Sequence, residues 1–517
     1  MITKSIIIAG SVSALMVLTA GCSGNGNTDA DAPASVGTDG NRDITIALAV
    51  EPVSLDPCDS QDATNAQVMR GNIIESVTRI DPLSGDVVPG LAESWEALDD
   101  RSWRLQLRQG VTFHDGEEFN AEAVAAAIAR IQDPDLNCQN FDELPYPLET
   151  TVVDEHTLEL VSAEADPILP LRLSWVDVGS PAATPAGEKV QEPVGTGPYR
   201  FVERNRGQSM TIERFNDYWG EAGDIERATF VYRSEPVVRA GMVTSGEADI
   251  AVPISAESAT DDDRTRQYND NRVFFLRTQT DRAPFEDPRA REAVQLAIDK
   301  ESIVGSLMER IGEPTDQMVA PTVNAYIEGY EGPAYDPEAA QKLLEDVAAD
   351  GFAVDVEFDL VTRPDMFPGS DEVIQAIGQN LKDVGFNVNI VSLDTEAWLQ
   401  LLRAPFPPDQ KPTIVAASHD NITGDASFTF NSYVSSEGPN STVRNEEIDA
   451  LLAEAGTAQG ERRAELYQEA SRVLYEEVHA IIPVAEQSKL LLLGDGVEYE
   501  PNGLTGIELR LNEIQLN

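Results

Sequence analysis

Two strand–helix–strand patterns flank one apolar-to-polar stretch, and this arrangement restricts the fold more than any other feature. Before the stretch, residues 229–232 read as a strand, 236–245 as a helix and 249–252 as a strand. After it, Val354, Val356, Phe358 and Leu360 alternate with Asp355, Glu357 and Asp359, then a helix pattern covers 371–384 and a strand 386–391. Chain direction within each pattern implies parallel pairing. Residues 272–288 lie between the two. Val273, Phe274, Phe275 and Leu276 suit a strand buried on both faces. Polar Arg277, Gln279 and Asp281 follow, and after Pro284 a helix is expected from Asp287 as cap and Pro288 as first residue. The stretch reads either as the crossing between two α/β lobes or as an ordinary core strand with a surface loop. In the first case a ligand would sit between the lobes, at the carboxyl ends of the strands.

The chain has 517 residues, enough for roughly three domains. Its 90 acidic and 37 basic residues give a formal net charge of −53, which argues against nucleic acid and anionic membrane surfaces as partners. Such a charge favours solubility. An acidic surface with few lysines also suits a saline medium, and it predicts stability that rises with salt.

Residues 1–22 have the make-up of a targeting segment. Lys4 supplies the positive end, and the apolar run 6–18 is too short to span a bilayer comfortably. Leu18-Thr19-Ala20-Gly21-Cys22 places small residues before a cysteine, as in a bacterial lipobox, with Cys22 the expected lipidation site; plain secretion is the alternative. Two or more acyl chains would hold the protein on a membrane, at about 0.8 kcal/mol per buried CH₂. Residues 23–42 lack an apolar period and read as a flexible tether with a span of roughly 25 Å. The other two cysteines, Cys58 and Cys138, are expected to pair outside the cytoplasm. Two separate buried thiols are the alternative.

The first strand is expected at 44–50 and a helix at 65–74. Trp103, Leu105 and Leu107 alternate, Gln109-Gly110 turns the chain, and 111–113 is expected to return as a strand. Asn120 caps an alanine-rich helix to Ile131, and 152–161 forms a hairpin around Asp154-Glu155. These mixed elements outline a smaller α+β unit. Further on, 201–203 and 210–214 look like a strand pair. Helices are expected over 288–308, from Asp336-Pro337, and from Asn445, the last followed by another running to Val478. Residues 405–412 form a proline-rich exposed loop, and 490–493 a late strand.

The four histidines, His114, His156, His419 and His479, are scattered without metal-ligand spacing. No nucleophile–base pair, phosphate loop or metal signature is present, so neither a catalytic residue nor a cofactor is assigned. Gly195-Thr196-Gly197-Pro198-Tyr199 could pass for a phosphate cradle, but its proline removes a backbone donor and a tight turn is the better reading. Residues 416–433 (AASHDNITGDASFTFNSY) follow an expected strand at 413–416 as a polar, aromatic loop. A ligand there could hydrogen-bond to His419, Asn421 and Asp425 and pack on Phe428 and Phe430. A surface loop anchored by its phenylalanines is the alternative.

Six segments in order carry a resemblance: residues 73–95 (IIESVTRIDPLSGDVVPGLAESW), 113–116 (FHDG), 195–199 (GTGPY), 215–220 (FNDYWG), 284–300 and 335–344. Together they resemble the family 5 extracytoplasmic solute-binding proteins of peptide- and nickel-type ABC importers, over nearly all of the chain past the leader. The resemblance implies an α/β, bilobed, periplasmic-binding-protein-like fold of three domains. Lobe I would comprise 43–68, 191–272 and 488–517, with a small α+β domain, 69–190, inserted in it. Lobe II would comprise 273–487. Solute binds between the lobes, which close and dock on a permease, and no catalysis is implied. The expected partners are a small solute or oligopeptide, ABC permease subunits and the membrane through the lipid anchor; the protein is expected to be a monomer. The ligand-contacting candidates are Asp56 and Cys58 after the first strand, Arg277 and Gln279 on the crossing stretch, and His419, Asn421, Ile422, Asp425 and Phe428. Relatives that hold a peptide's α-amino group place an aspartate three residues after a Gly-Trp pair. That position is Ile422 here, which argues against a free-amine peptide unless Asp420 substitutes, and the usual hinge asparagine falls at Gln279. Peptide is the first expectation, with a capped or modified peptide, a glycoside or another amphiphilic solute next. A lipid-anchored hydrolase and a surface sensor or adhesin are the competing classes.

Overall fold

A computed structural model describes residues 42–517 except 83, 365, 504 and 505. The targeting segment, Cys22 and the tether up to residue 41 therefore lie outside the described residues. Among the described residues, no helix is long and apolar enough to cross a membrane.

One eleven-stranded sheet runs through the molecule. In its first half Asp43–Leu48 lies between Arg227–Tyr232 and Ile250–Val252, parallel to both. The strand–helix–strand unit of this half thus straddles the first strand instead of pairing its own two strands. Its helix, Pro236–Ser245, stops at Gly246, whose φ of 76° is the left-handed conformation that glycine adopts without strain. Tyr199–Asn205 and Ser209–Arg214 extend this half antiparallel to the edge. In the second half Phe358–Thr362 pairs in parallel with Val388–Ser392 on one side and Thr413–Asp420 on the other.

Two long antiparallel strands join the halves: Thr265–Thr278 and Ile481–Leu493. The former carries the apolar run Val273–Leu276 found in the sequence, buried as expected. Its register against the latter shifts between Asn269 and Arg272. Asn271 sits in that bulge with a φ of 57°, 1% exposed. Its side-chain amide donates to the Asn421 carbonyl, and its Oδ1 accepts from Thr322 Oγ1 at 3.0 Å. The bulge is therefore fastened to the second half of the sheet.

A separate four-stranded antiparallel sheet (Ala92–Ala97, Ser102–Leu107, Thr157–Ser162 and Leu148–Asp154) packs on the helix Ala121–Ile131. Asn120 caps that helix by accepting from Ala123 N at 3.1 Å. The expected return strand at 111–113 is absent. Val111 and Phe113 are buried in this core, but the place beside Ser102–Leu107 is taken by Ala92–Ala97 and Thr157–Ser162. His114 links this unit to the main sheet. Its Nδ1 accepts from Gly195 N at 3.3 Å and its Nε2 donates to Gly197 O at 2.9 Å. Gly195 and Gly197 pass so close to the backbone at Asn72–Ile74 that a Cβ on either would lie within 2.3 Å of a carbonyl oxygen. The close approach makes this glycine-rich segment a packing device.

Four further expectations shift. The helix expected at 65–74 is Ala63–Met69, started earlier by Asp62, which accepts from the amides of Thr64 and Asn65. The expected helix 288–308 is two helices, Pro288–Ala297 and Lys300–Leu307, because Asp299 caps the second. The expected strand 354–360 forms at Phe358–Thr362, where both neighbouring strands offer partners. The helix expected to run to Val478 stays α-helical over Gly460–Val473 and widens to a π-turn at Leu474–Val478.

Candidate functional site

A cavity of about 540 Å³ lies between the small unit and the second half of the sheet. The small unit supplies Asp142, Glu143, Ile168 and Arg172; the opposite wall supplies Arg403, His419, Thr423, Phe428, Tyr433 and Asn440. That wall is built by the strand Thr413–Asp420 and the helix Ala426–Tyr433 that follows it. Sequence pattern alone ends the strand at 416 and makes the following stretch a loop. In the structure the strand continues because Arg272, Val273 and Phe274 on the crossing strand pair with Asp420, His419 and Ser418. The helix starts at Asp425, whose side chain accepts from Ser427 N at 3.0 Å.

His419 and Phe428 reach the cavity wall together. Their rings stack at 5.5 Å and 19°, and Tyr433 packs 4.8 Å from the imidazole. His419 Nε2 hydrogen-bonds with Thr429 Oγ1 at 3.0 Å. Burial lowers the His419 pKa to about 4, so it is neutral at pH 7. Burial also acts against the charge of Asp420, but the Arg272 guanidinium at 2.6 Å outweighs it and holds that carboxyl below its ordinary value. On the facing wall burial lifts Glu143 to about 7. Glu143 Oε1 accepts from the Gln61 amide at 2.7 Å.

The other sequence candidates lie elsewhere. Asp56 is fully buried under the first-half loop and pairs with Arg130, whose Nε donates at 3.0 Å; the same carboxylate accepts from Cys58 N and Val190 N. Cys58 is disulfide-bonded to Cys138. Among the described residues, the grouping of metal-ligand types, Cys58, Asp59 and Cys138, thus has both sulfurs tied up. Arg277 is 2% exposed and donates to the carbonyls of Leu401, Leu402 and Asn440, bracing the cavity wall from behind; burial lowers its pKa to about 10. Gln279 is buried against Thr413, whose Oγ1 lies 3.5 Å from its Oε1. Asn421 holds its own loop, donating to Asp425 O and Thr429 Oγ1 and accepting from Gly424 N. Asp425 is clamped by Arg463 at 2.7 and 2.8 Å and by Asn324 at 2.8 Å. Ile422 is 5% exposed and packs on Ala66, Trp175 and Ile507, across from its own sheet half.

Sequence reasoning missed Asp142, Glu143, Arg172 and Arg403. None sits in a local pattern that sets it apart from the chain's many other acids or from a surface arginine. Only the approach of the small unit to the second half of the sheet brings them to one cavity.

Residues 86–441 match the family "Bacterial extracellular solute-binding proteins, family 5 Middle". The chain belongs to this family. The glutathione-binding protein GsiB of Salmonella typhi is 25% identical over 474 residues, covering 86% of this chain and 89% of that one. The dipeptide-binding protein of Escherichia coli K12 is 26% identical over 490 residues, covering 85% and 90%. The structure of HbpA2 from Haemophilus parasuis superposes with a TM-score of 0.81 at 21% identity, over 92% of this chain and 100% of that one. This family 5 solute-binding protein is therefore bilobed. The two sheet halves are its lobes, the four-stranded unit is the smaller α+β domain, and its role is to bind a solute outside the cytoplasm.

Proposed function

We propose that this protein is the substrate-binding component of an ABC importer, capturing a peptide or a similar small solute between its lobes and passing it to a membrane permease. The observation that carries the reading is the cavity of about 540 Å³ walled by the inserted domain on one side and lobe II on the other. Its volume falls within the roughly 300–1,000 Å³ of small-solute pockets. A ligand drives closure only through interactions that the closed form makes and the open form lacks. Ile422 of lobe II, buried among Ala66, Trp175 and Ile507, packs across onto lobe I and the inserted domain, an interaction suited to holding a closed form. A solute bound at micromolar affinity has about 8 kcal/mol to hold such a form together.

In this reading lobe I comprises 43–68, 191–272 and 488–517, the inserted domain 69–190 and lobe II 273–487. The bulge around Asn271 is the hinge. The protein is a non-catalytic monomer held at the outer face of the membrane by lipid on Cys22, with 23–42 as tether. The names of the relatives, which include glutathione-, dipeptide- and heme-binding proteins, support a solute of this size range and leave its chemistry open.

Native mass spectrometry of residues 23–517, followed by denaturing release, tests the reading. The expected result is an adduct of a few hundred daltons that leaves on denaturation. Absence of an adduct, together with no thermal shift across peptide and small-solute libraries, would overturn it.

A further inference from the structure

The Cys58–Cys138 disulfide has a cation seated against it. Lys189 Nζ lies 3.3 Å from Cys58 Sγ and 3.8 Å from Cys138 Sγ, and it pairs with Asp59 Oδ1 at 2.6 Å. The lysine side chain is 29% exposed, so its charge keeps part of its hydration, while the cysteines beneath are 1% and 6% exposed. Disulfides exchange when a thiolate attacks one sulfur and the other leaves as a thiolate. A neighbouring ammonium favours the thiolate, and so the departure. Here both sulfurs are within reach of the same ammonium, whichever of them leaves.

The surroundings suit an incoming thiol. A second cavity, of about 300 Å³, has Cys58, Leu136, Pro181 and Gly187 in its wall. Residues 181–188, which border it, form neither helix nor strand and are mostly exposed. Cys138 Sγ lies 3.3 Å from Arg130 O, a carbonyl to which a freed thiol can donate. The bond also has a place in the architecture. It ties the lobe I loop to the head of the turn Gln139–Glu143, which carries Asp142 and Glu143 into the wall of the larger cavity.

We propose that Cys58–Cys138 is a thiol-exchange site, opened in the folded protein by a small external thiol with Lys189 stabilising the departing sulfur. The external thiolate attacks Cys58 Sγ from the cavity. A mixed disulfide forms as the Cys58–Cys138 bond breaks, and the electron pair goes to Cys138 Sγ, which then takes up a proton. A second external thiolate attacks the external sulfur of the mixed disulfide and releases Cys58 as a thiolate beside Lys189. Two cysteines are reduced and two external thiols are oxidised to their disulfide. The site goes beyond the solute-binding reading and does not rest on it.

The test uses residues 23–517, in which Cys58 and Cys138 are the only cysteines. The folded protein is incubated with mercaptoethanol and quenched at intervals with iodoacetamide, and peptide mass spectrometry follows the mixed disulfide on Cys58 and the alkylation of Cys138. Wild type is expected to exchange without denaturant. Lys189→Met should slow the exchange by about tenfold, and Lys189→Arg, which keeps the charge, should restore most of the rate. Asp59→Asn should speed it, because that carboxylate shares the ammonium and lies 3.9 Å from Cys58 Sγ. A variant that merely loosened the fold would speed exchange in both positions, so the opposite signs separate the two causes. Exchange only where denaturant unfolds the protein, a Lys189→Met rate equal to or above wild type, or slower exchange in Asp59→Asn would overturn the proposal.

Discussion

Replacing Arg463 with methionine isolates the role of Asp425, which the sequence marked as a ligand contact and the structure buries. Both side chains are 4% exposed, and the guanidinium holds both carboxylate oxygens. Removing one member of a buried pair costs about 3–5 kcal/mol, because the remaining charge is left in a poor solvent. Here Ser427 N, Ser427 Oγ and Asn324 Nδ2 still donate to the carboxylate, which places the expected loss near the lower bound, about 3 kcal/mol. At roughly 2–4 °C per kcal/mol for a domain of lobe II's size, the melting point falls by roughly 6–12 °C. In wild type, burial opposes the Asp425 charge, but Arg463 and Ser427 hold its pKa below the ordinary value. The carboxylate therefore stabilises the fold above the unfolded pKa of about 3.9, and that contribution is lost as pH falls through the folded pKa. Without Arg463, burial prevails and the folded pKa rises above the unfolded one. The penalty is then full at neutral pH and is relieved on acidification. Thermal unfolding followed by circular dichroism should show the deficit at pH 7 shrinking towards about pH 4, near the unfolded pKa. A variant melting within about 1 °C of wild type at pH 7, or a deficit that grows on acidification, would refute the account.

Replacing Cys58 and Cys138 together by serine should destabilise the protein, at the join of lobe I and the inserted domain, by about 4–5 kcal/mol in the chain-entropy model, given a sequence separation of 80; denaturant melts of oxidised wild type and the double variant check this. Burial depresses the pKa values of His114, His419 and His479 to about 4. Folded and unfolded forms are both neutral above about pH 6.5, so each histidine should cost up to about 3 kcal/mol as pH falls from about 6.5 to about 4, where only the unfolded chain takes up the proton; pH-dependent melts, with His114→Gln flattening part of the slope, are the measurement. Ile422→Ala should weaken the closed form by about 2 kcal/mol, roughly thirtyfold in population, through lost apolar burial; an unchanged radius of gyration in ligand-free small-angle scattering would count against a closing role.

Much of the fold was legible because it is written in local pattern. The apolar run Val273–Leu276, the caps Asp287, Asp336 and Asn445, and the two strand–helix–strand units follow from spacing and cap chemistry alone. The misplacements share a cause. Residues 111–113 and 354–357 carry strand-like alternation, but a strand forms only where a neighbouring backbone extends a ladder: 111–113 finds a single antiparallel bridge, Thr112 to Glu118, and the second strand pairs only from Phe358 onward. The stretch 426–433 has weak helical character in isolation; Asp425, held by Arg463 and Asn324, starts the helix there. The same distinction governs the site. His419 and Phe428 stand out as aromatic residues in a polar segment and do line the cavity, whereas Asp56, Arg277 and Asp425 look equally functional in sequence and turn out to satisfy buried partners.

The two α/β halves, the crossing strand, the family and the charge that argues against nucleic acid are all specified locally, because hydrophobic period, turn chemistry and ordered motifs are properties of neighbours along the chain. Which polar residues are free to meet a solute is settled only by folding. An arginine or aspartate is available only if no buried partner claims it, and those partners come from far along the chain: Arg130 for Asp56, Arg463 for Asp425, and the carbonyls of Leu401, Leu402 and Asn440 for Arg277. Asp142 and Arg403, unexceptional in the sequence, line opposite walls of one cavity because folding brings the inserted domain against the second half of the sheet.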